Sequence, residues 1–210
     1  MQRHGGATQY RTAGRELNCF PSSRRLMPGP RGIEPGDAAP QFELPNANPA
    51  IGGESMSLSD AMGENGAIIA FTCNHCPYVV GSEGRIEYIA AKAASSGMGF
   101  VGINSNDPIN YESDSWDNMV KRANRGMGYA YLHDESQDIA TAYGAERTPE
   151  FYMMNSEGTI VYRGRLDDSP RDPSHASTSE LADAIAEVAA GDSISVQRTD
   201  SIGCSVKWKM

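Results

Sequence analysis

Two cysteines, Cys73 and Cys76, lie two residues apart in the segment Phe-Thr-Cys-Asn-His-Cys-Pro. A Cys-x-x-Cys pair is typical of two chemistries, a dithiol that cycles with its disulfide and a set of metal ligands. Here the pair lies between a predicted buried strand and a predicted helix. A helix N-terminus has unpaired N–H groups and partial positive charge, which stabilise the reactive thiolate form of cysteine. This position favours redox chemistry over metal binding.

His75 is one of the two residues between the cysteines and is the candidate for tuning their pKa values. When protonated, it adds positive charge within reach of Cys73, so we expect it to lower the pKa of Cys73 and to favour the reduced pair. The alternative is a solvated residue of the first helical turn with no effect on the cysteines. We expect the tuning role because a reactive pair must be partly exposed.

The elements that position the pair follow from hydrophobic patterning. The apolar run 67–72, bounded by Gly66 and Cys73, predicts a strand buried on both faces. A helix is predicted to follow it over 76–94, with Pro77 in the first turn. Further strands are predicted at 41–44, 99–104, 129–132, 151–154 and 159–162, and further helices at 113–125, 137–143 and 178–190. From residue 67 onward, the order βαβαβαββα predicts a parallel sheet with an antiparallel edge and helices on both faces.

Finer patterns predict details of two helices and one loop. Trp116 is predicted to face inward with Val120 and Ala123, and Ser177 and Glu180 have the spacing of a capping box. The acidic pair Asp167 and Asp168 is expected to form a turn that leads into the last helix, rather than to act in acid–base catalysis.

These residues resemble the thioredoxin-like redoxins of the AhpC/TSA superfamily, in particular its peroxiredoxin-like "thioredoxin family" proteins. The resemblance covers roughly residues 33–209 in order, so it is far more specific than a lone Cys-x-x-Cys. It is carried by the segments 71–77, 102–107, 131–137, 148–151, 162–168 and 201–208. It implies an α/β thioredoxin fold, with a central mixed β-sheet flanked by helices on both faces.

The resemblance also implies roles for residues far from the pair in sequence. It implies a cis peptide bond between Thr148 and Pro149, with Thr148 presenting its backbone to a substrate beside the cysteines; only X–Pro bonds adopt cis at low cost. Cys204 matches a late Gly-Cys motif and is a candidate resolving cysteine, the alternative being a cysteine that only packs the tail. Arg147 replaces a cysteine that the family often carries, and is expected either to hold a thiolate or acidic substrate or to be solvated.

Three reactions are consistent with these residues. In the first, which we predict, Cys73 attacks a substrate disulfide and Cys76 resolves the mixed disulfide. In the second, a thiolate reduces peroxide through a sulfenic acid. Peroxiredoxins typically have Pro-x-x-x-Thr/Ser-x-x-Cys, and here Cys73 or Ala70 takes the place of the hydroxyl residue, which argues against peroxidase activity.

The third reaction is binding of copper by Cys73, Cys76 and a distant histidine, either His133 or His175, because thiolates suit Cu(I). Thioredoxin-fold copper chaperones generally space their cysteines by three residues, which argues against this function, and Pro77 excludes the haem motif C-x-x-C-H. We therefore predict no cofactor and no bound metal. The expected partners are a disulfide-containing protein or a small thiol or peroxide substrate, and an electron donor.

Charge and composition bound the setting in which this chemistry occurs. The net charge of −9 argues against nucleic-acid partners. The sequence contains no run of 18 apolar residues, so no membrane span is predicted. Residues 1–31, with six Arg and one Glu, are predicted to be a disordered extension preceding a domain over 32–210, and Cys19 is taken as incidental. The extension lacks the apolar core of a secretory signal, so we expect a cytoplasmic protein whose pair rests reduced, with organellar targeting as the alternative.

Overall fold

The computed structural model describes Met1 and residues 32–210. The predicted disorder of the N-terminal extension and the role of Cys19 lie outside the described residues. The strands are β1 Glu43–Pro45, β2 Ser55–Ser57, β3 Ala67–Phe71, β4 Gly99–Asn104, β5 Ala130–His133, β6 Arg147–Thr148, β7 Glu150–Met154, β8 Ile160–Gly164 and β9 Cys204–Ser205. The α-helices are α1 Leu58–Ala61, α2 Pro77–Val80, α3 Glu83–Ser95, α4 Trp116–Ala123, α5 Asp138–Tyr143 and α6 Glu180–Ala190, and 3₁₀ turns occupy Glu112–Asp114 and Pro173–His175.

Five strands form the central sheet in the order β5-β4-β3-β7-β8. Strand β3 runs parallel to β4 and antiparallel to β7, and the β7–β8 hairpin supplies the antiparallel edge. Alternate residues of a strand point to opposite faces. Ile69 and Phe71 accordingly pack in one core with residues of α1 and α5, whereas Ile68 and Ala70 pack in the other with residues of α3 and α6. The predicted α/β class, the mixed sheet and the strand buried on both faces are confirmed.

The helix predicted over 76–94 is in fact two helices, α2 and α3. The chain breaks at Gly81 and Ser82, where the loop around Pro170 packs against the helix. A Cβ added to Gly81 would lie 3.0 Å from the Cα of Arg171, and the Ser82 hydroxyl donates to the carbonyl oxygens of Tyr78, at 2.8 Å, and Pro170, at 2.7 Å. This loop comes from the far end of the chain, so local pattern did not reveal the break.

Two finer predictions about helices are wrong, those for Trp116 and for the capping box of Ser177, whereas the predicted inward position of Ala123 is confirmed. Trp116 is 38 % exposed, and Met119, which is fully buried, takes the inward position on α4. The N-cap of α6 is Ser179 rather than Ser177, whose hydroxyl and N–H instead donate to Asp168.

The expected turn roles of the acidic pair are confirmed. Asp168 holds the segment before α6, and Asp167 pairs with Arg85 of α3. Among the described residues, no helix is both long and apolar enough to cross a membrane.

Candidate active site

The cysteine pair lies at the junction between β3 and α2. Cys73 follows β3 after one residue, and Cys76 is the N-cap of α2, with Pro77 as its first residue. Both cysteines have a relative exposure of 0 %, because α3, α6 and the sheet surround them in one apolar core. The predicted strand–helix junction is confirmed, but the expectation that the pair is partly exposed is wrong.

Thr148 contacts both sulfur atoms. Its hydroxyl oxygen lies 3.4 Å from Cys73 Sγ, and its carbonyl oxygen lies 3.2 Å from Cys76 Sγ. The Thr148–Pro149 peptide bond is cis, as the resemblance implies. Glu150, buried just beyond, fixes this loop by accepting hydrogen bonds from the N–H groups of residues 146 and 147, at 2.8 and 3.1 Å, while pairing with Arg163 at 3.0 Å. Residues far apart in sequence are therefore brought together around the pair.

The C-terminal strand β9 covers the same loop from the other side. It pairs antiparallel with β6, so that Thr148 faces Cys204 and Arg147 faces Ser205. Cys204 is partly exposed and packs against the apolar core that contains Cys76, and, after that of Cys73, its proximity lowers the pKa of Cys76. Arg147 is exposed and its guanidinium lies 3.4 Å from the Gly203 carbonyl oxygen, so its contact is with the tail.

A buried carboxylate, Asp114, lies on the Cys73 side of the pair. It accepts hydrogen bonds from the backbone N–H of Asn74, at 2.6 Å, and from the amides of Asn104 and Asn106, at 3.2 and 2.9 Å. Its other contact is His75 Nδ1, at 2.6 Å. Sequence reasoning missed Asp114, although the Asn-Ser-Asn segment at the end of β4 lies where the carboxyl ends of parallel strands meet.

Further hydrogen bonds hold the loop between the cysteines. The Tyr131 hydroxyl donates to Asn74 Oδ1 at 2.8 Å, and Arg122 donates to the carbonyl oxygen of Cys73. The His75 ring stacks on Tyr111 with a centroid separation of 5.3 Å. Asn74 and His75 are therefore held by partners on three other elements, and the loop is rigid at both intervening residues.

The surroundings of the two sulfurs favour a thiolate on Cys76. Hydrogen bonds from the Cys73 thiol, then from Cys204 and the N–H of Val79, lower the pKa of Cys76 against the opposing effect of burial. A neutral Cys76 thiol donates to the Thr148 carbonyl oxygen at 3.2 Å, and this contact opposes its ionisation. The attacking role of Cys73 stays a prediction, and the directions of the two pKa shifts favour Cys76.

The pKa of Cys73 is raised. The main cause is its hydrogen bond to Cys76, followed by burial and by the negative charge of Asp114. His75 was expected to lower this pKa, but its nearest partner is the carboxylate that opposes ionisation of Cys73. Burial, together with a hydrogen bond to Cys76 and the charge of Cys76, likewise raises the pKa of Cys204, to about 11.

One group of side chains in the described part of the chain has metal-ligand spacing. The sulfur of Cys73, a ring nitrogen of His75 and a carboxylate oxygen of Asp114 lie within 4.8 Å of one another. The carboxylate already accepts four hydrogen bonds, so a cation would have to displace them. His133 and His175 do not belong to this group; His133 contacts Trp116, and His175 pairs with Asp172 at 2.7 Å.

The model of the Redoxin family matches residues 34–183 of the chain. A Mycobacterium tuberculosis protein provisionally named as the peroxiredoxin Rv2521 is 24 % identical over 128 residues, which span 61 % of this chain and 74 % of the relative. Two solved structures are more similar: an uncharacterised conserved protein from Geobacillus kaustophilus and the hypothetical protein SMc02350 from Sinorhizobium meliloti. They are 38 % and 32 % identical, with TM-scores of 0.77 and 0.75; the matches cover 83 % and 84 % of this chain and 92 % and 96 % of those chains.

Proposed function

The chain belongs to the Redoxin family, and we propose that it is a thiol–disulfide oxidoreductase whose redox-active pair is Cys73 and Cys76. The observation that carries the proposal is the meeting of both sulfurs at Thr148 within one buried core. A cysteine held as a thiolate beside a second cysteine is the arrangement that thiol–disulfide exchange requires.

In the proposed reaction, a substrate disulfide is reduced to two thiols while Cys73 and Cys76 are oxidised to a disulfide. The Cys76 thiolate is the internal nucleophile, and its low pKa also makes it a good leaving group when an electron donor reverses the reaction. The hydroxyl of Thr148 lies beside Cys73 and its carbonyl beside Cys76, so this residue fixes the separation of the sulfurs. Thr148 is thus a positioning residue.

The test is reduction of insulin disulfides by the purified protein with dithiothreitol, compared with consumption of hydrogen peroxide under the same conditions. We expect insulin reduction, loss of that activity in Cys76→Ser, and full activity in Cys19→Ser, which is the matched control outside the described site. Rapid peroxide turnover without insulin reduction would contradict the proposal.

Peroxide reduction is the second candidate, because one observation favours it. Both sulfurs of the pair are fully buried, and a peroxide, being smaller than a protein disulfide, needs less opening of the site to reach them. The product would be a sulfenic acid that condenses with the neighbouring thiol. Steady consumption of peroxide by the wild type, abolished by Cys76→Ser, would support this function in the comparison above.

We propose a disulfide-containing protein or a small disulfide as the substrate, a cellular dithiol as electron donor, and the cytoplasm as the compartment. In a reducing compartment the pair would rest reduced. Trapping of thiols in intact cells checks this resting state, since free Cys73 and Cys76 are expected and a fully formed disulfide would contradict the assigned compartment.

A further inference from the structure

We propose that Cys204 on the C-terminal strand β9 is a third redox cysteine, which relays disulfide exchange between external thiols or disulfides and the buried pair. This inference rests on the proposed function and says how an external disulfide exchanges with the buried cysteine pair. It assigns the contact with substrate to Cys204 and the internal exchange to Cys76 and Cys73.

Exposure separates the three sulfurs. Cys73 and Cys76 are fully buried, whereas Cys204 is partly exposed. The backbone of Thr148 is already paired with β9, so an external strand cannot pair with Thr148 on that side to reach the cysteines. Among the described cysteines, only Cys204 is both partly exposed and packed against the core that holds the pair.

The C-terminal tail, residues 203–207, is held against the rest of the domain by hydrogen bonds and close packing. The N–H of Val206 donates to the carbonyl oxygen of Glu146 at 3.1 Å, and the N–H of Lys207 donates to Asn106 Oδ1 at 2.8 Å. Gly203 packs so closely that a Cβ there would lie 2.2 Å from the Thr148 carbonyl oxygen. These contacts fix Cys204 opposite Thr148, whose carbonyl oxygen lies 3.2 Å from Cys76 Sγ, so the tail holds the third cysteine on the side of the pair that a relay requires.

The exchange with a small disulfide such as oxidised glutathione proceeds in three balanced steps. Cys204 loses its proton to solvent, attacks one glutathione sulfur as the thiolate and forms a mixed disulfide, and the released glutathione thiolate takes up a proton from solvent. The Cys76 thiolate then attacks Cys204 Sγ, releases the second glutathione and forms a Cys76–Cys204 disulfide. Finally Cys73 attacks Cys76 Sγ, its proton passes to Cys204, and the Cys73–Cys76 disulfide forms. One glutathione disulfide is reduced and two protein thiols are oxidised.

Peptide mapping by mass spectrometry under non-reducing conditions, after addition of oxidised glutathione, tests each step. We expect Cys73→Ser to accumulate the Cys76–Cys204 disulfide and Cys76→Ser to accumulate glutathione on Cys204. In Cys204→Ser, we expect oxidation of the pair by glutathione to slow by at least about tenfold. Oxidation of the same variant by hydrogen peroxide should stay within about twofold of wild type, because peroxide reaches buried sulfurs directly.

A matched control moves the thiol by one residue. The double change Cys204→Ser with Ser205→Cys keeps a cysteine in β9 but places it on the opposite face of the strand, so exchange should not be restored. Wild-type exchange rates in Cys204→Ser, or glutathione on Cys73 in Cys76→Ser, would overturn the relay while leaving the proposed function intact. A wild-type protein inert toward glutathione disulfide would instead contradict the proposed function.

Discussion

Only two residues separate Cys73 from Cys76, yet the surroundings of the two thiols shift their pKa values in opposite directions. The Cys73 sulfur is buried within 4.8 Å of the Asp114 carboxylate, and its pKa is raised, whereas the neighbouring Cys73 and Cys204 lower the pKa of Cys76. Burial alone raises the pKa of both thiols, so the difference arises from hydrogen bonds and from one nearby charge. The position of a cysteine in the motif therefore does not by itself decide which sulfur is the nucleophile.

The largest expected effect is an asymmetry between two serine variants. Cys76→Ser removes the favoured thiolate and should lower turnover with a disulfide substrate by about a thousandfold or more. Cys73→Ser should lose much less, about tenfold, because Cys204 still closes a disulfide with Cys76. Steady-state insulin reduction measures the activity of both variants. Equal losses of activity would contradict the proposed difference between Cys73 and Cys76.

A large effect on stability is expected at the loop that presents Thr148. Glu150 and Arg163 are both 1 % exposed and lie 3.0 Å apart, so Glu150→Gln removes the fully buried one of two carboxylates that pair with Arg163, the other being Glu34 at 3.1 Å. Because the pairing with Glu34 remains, the expected cost is about 1–3 kcal/mol. Urea denaturation measures this loss of unfolding free energy. A loss below about 1 kcal/mol, as for a surface pair, would show that the loop does not depend on this carboxylate.

Asp114→Asn acts on the Cys73 side alone. The amide keeps the shape of the carboxylate, but it lacks an acceptor for one of the groups that donate to it, His75 or Asn106. Stability should fall by about 1–3 kcal/mol. Removal of the charge should lower the pKa of Cys73, so that its thiolate forms at lower pH than in the wild type. Ultraviolet thiolate titration measures this shift. An unchanged pKa of Cys73 would show that the carboxylate has no electrostatic effect on this thiol.

Gly203→Ala should give the smallest effect, on the Cys76 side. The added Cβ collides with the Thr148 carbonyl and forces β9 outward. Loss of about 1.4 kcal/mol of local stability corresponds to about tenfold greater opening of the tail. Alkylation of Cys76 in the folded protein should accelerate by that factor, whereas Gly84→Ala, in α3, where an added Cβ meets nothing within 4 Å, should leave it unchanged. Equal alkylation rates in wild type and Gly203→Ala would contradict the close packing of the tail on Thr148.

Local pattern was sufficient where the contacts that decide a feature are local. The apolar run of β3, the helix beginning at Pro77 and the β7–β8 hairpin each follow from residues adjacent in sequence. The cis bond before Pro149 was implied by resemblance and is present. The pairing of β6 with β9 was missed because each strand has two residues and their partners lie more than fifty positions apart.

The chemistry of the pair was less predictable than its position. The sequence suggested that His75 would set the charge at Cys73, because the two are neighbours in the chain. The structure places Asp114 against both, from a 3₁₀ turn about forty residues away. No periodicity identifies such a residue, since its effect depends on burial and on three asparagine donors that only the fold assembles.

The most direct test of the central claim is ultraviolet titration of the thiolate in the reduced protein and in its two serine variants. The account predicts a thiolate with a pKa below the value of about 8.5 for free cysteine, so its absorbance persists as the pH falls below that value. This signal should survive in Cys73→Ser, whose hydroxyl still donates toward Cys76, and disappear in Cys76→Ser. A low-pH thiolate that survives in Cys76→Ser and disappears in Cys73→Ser would contradict the account.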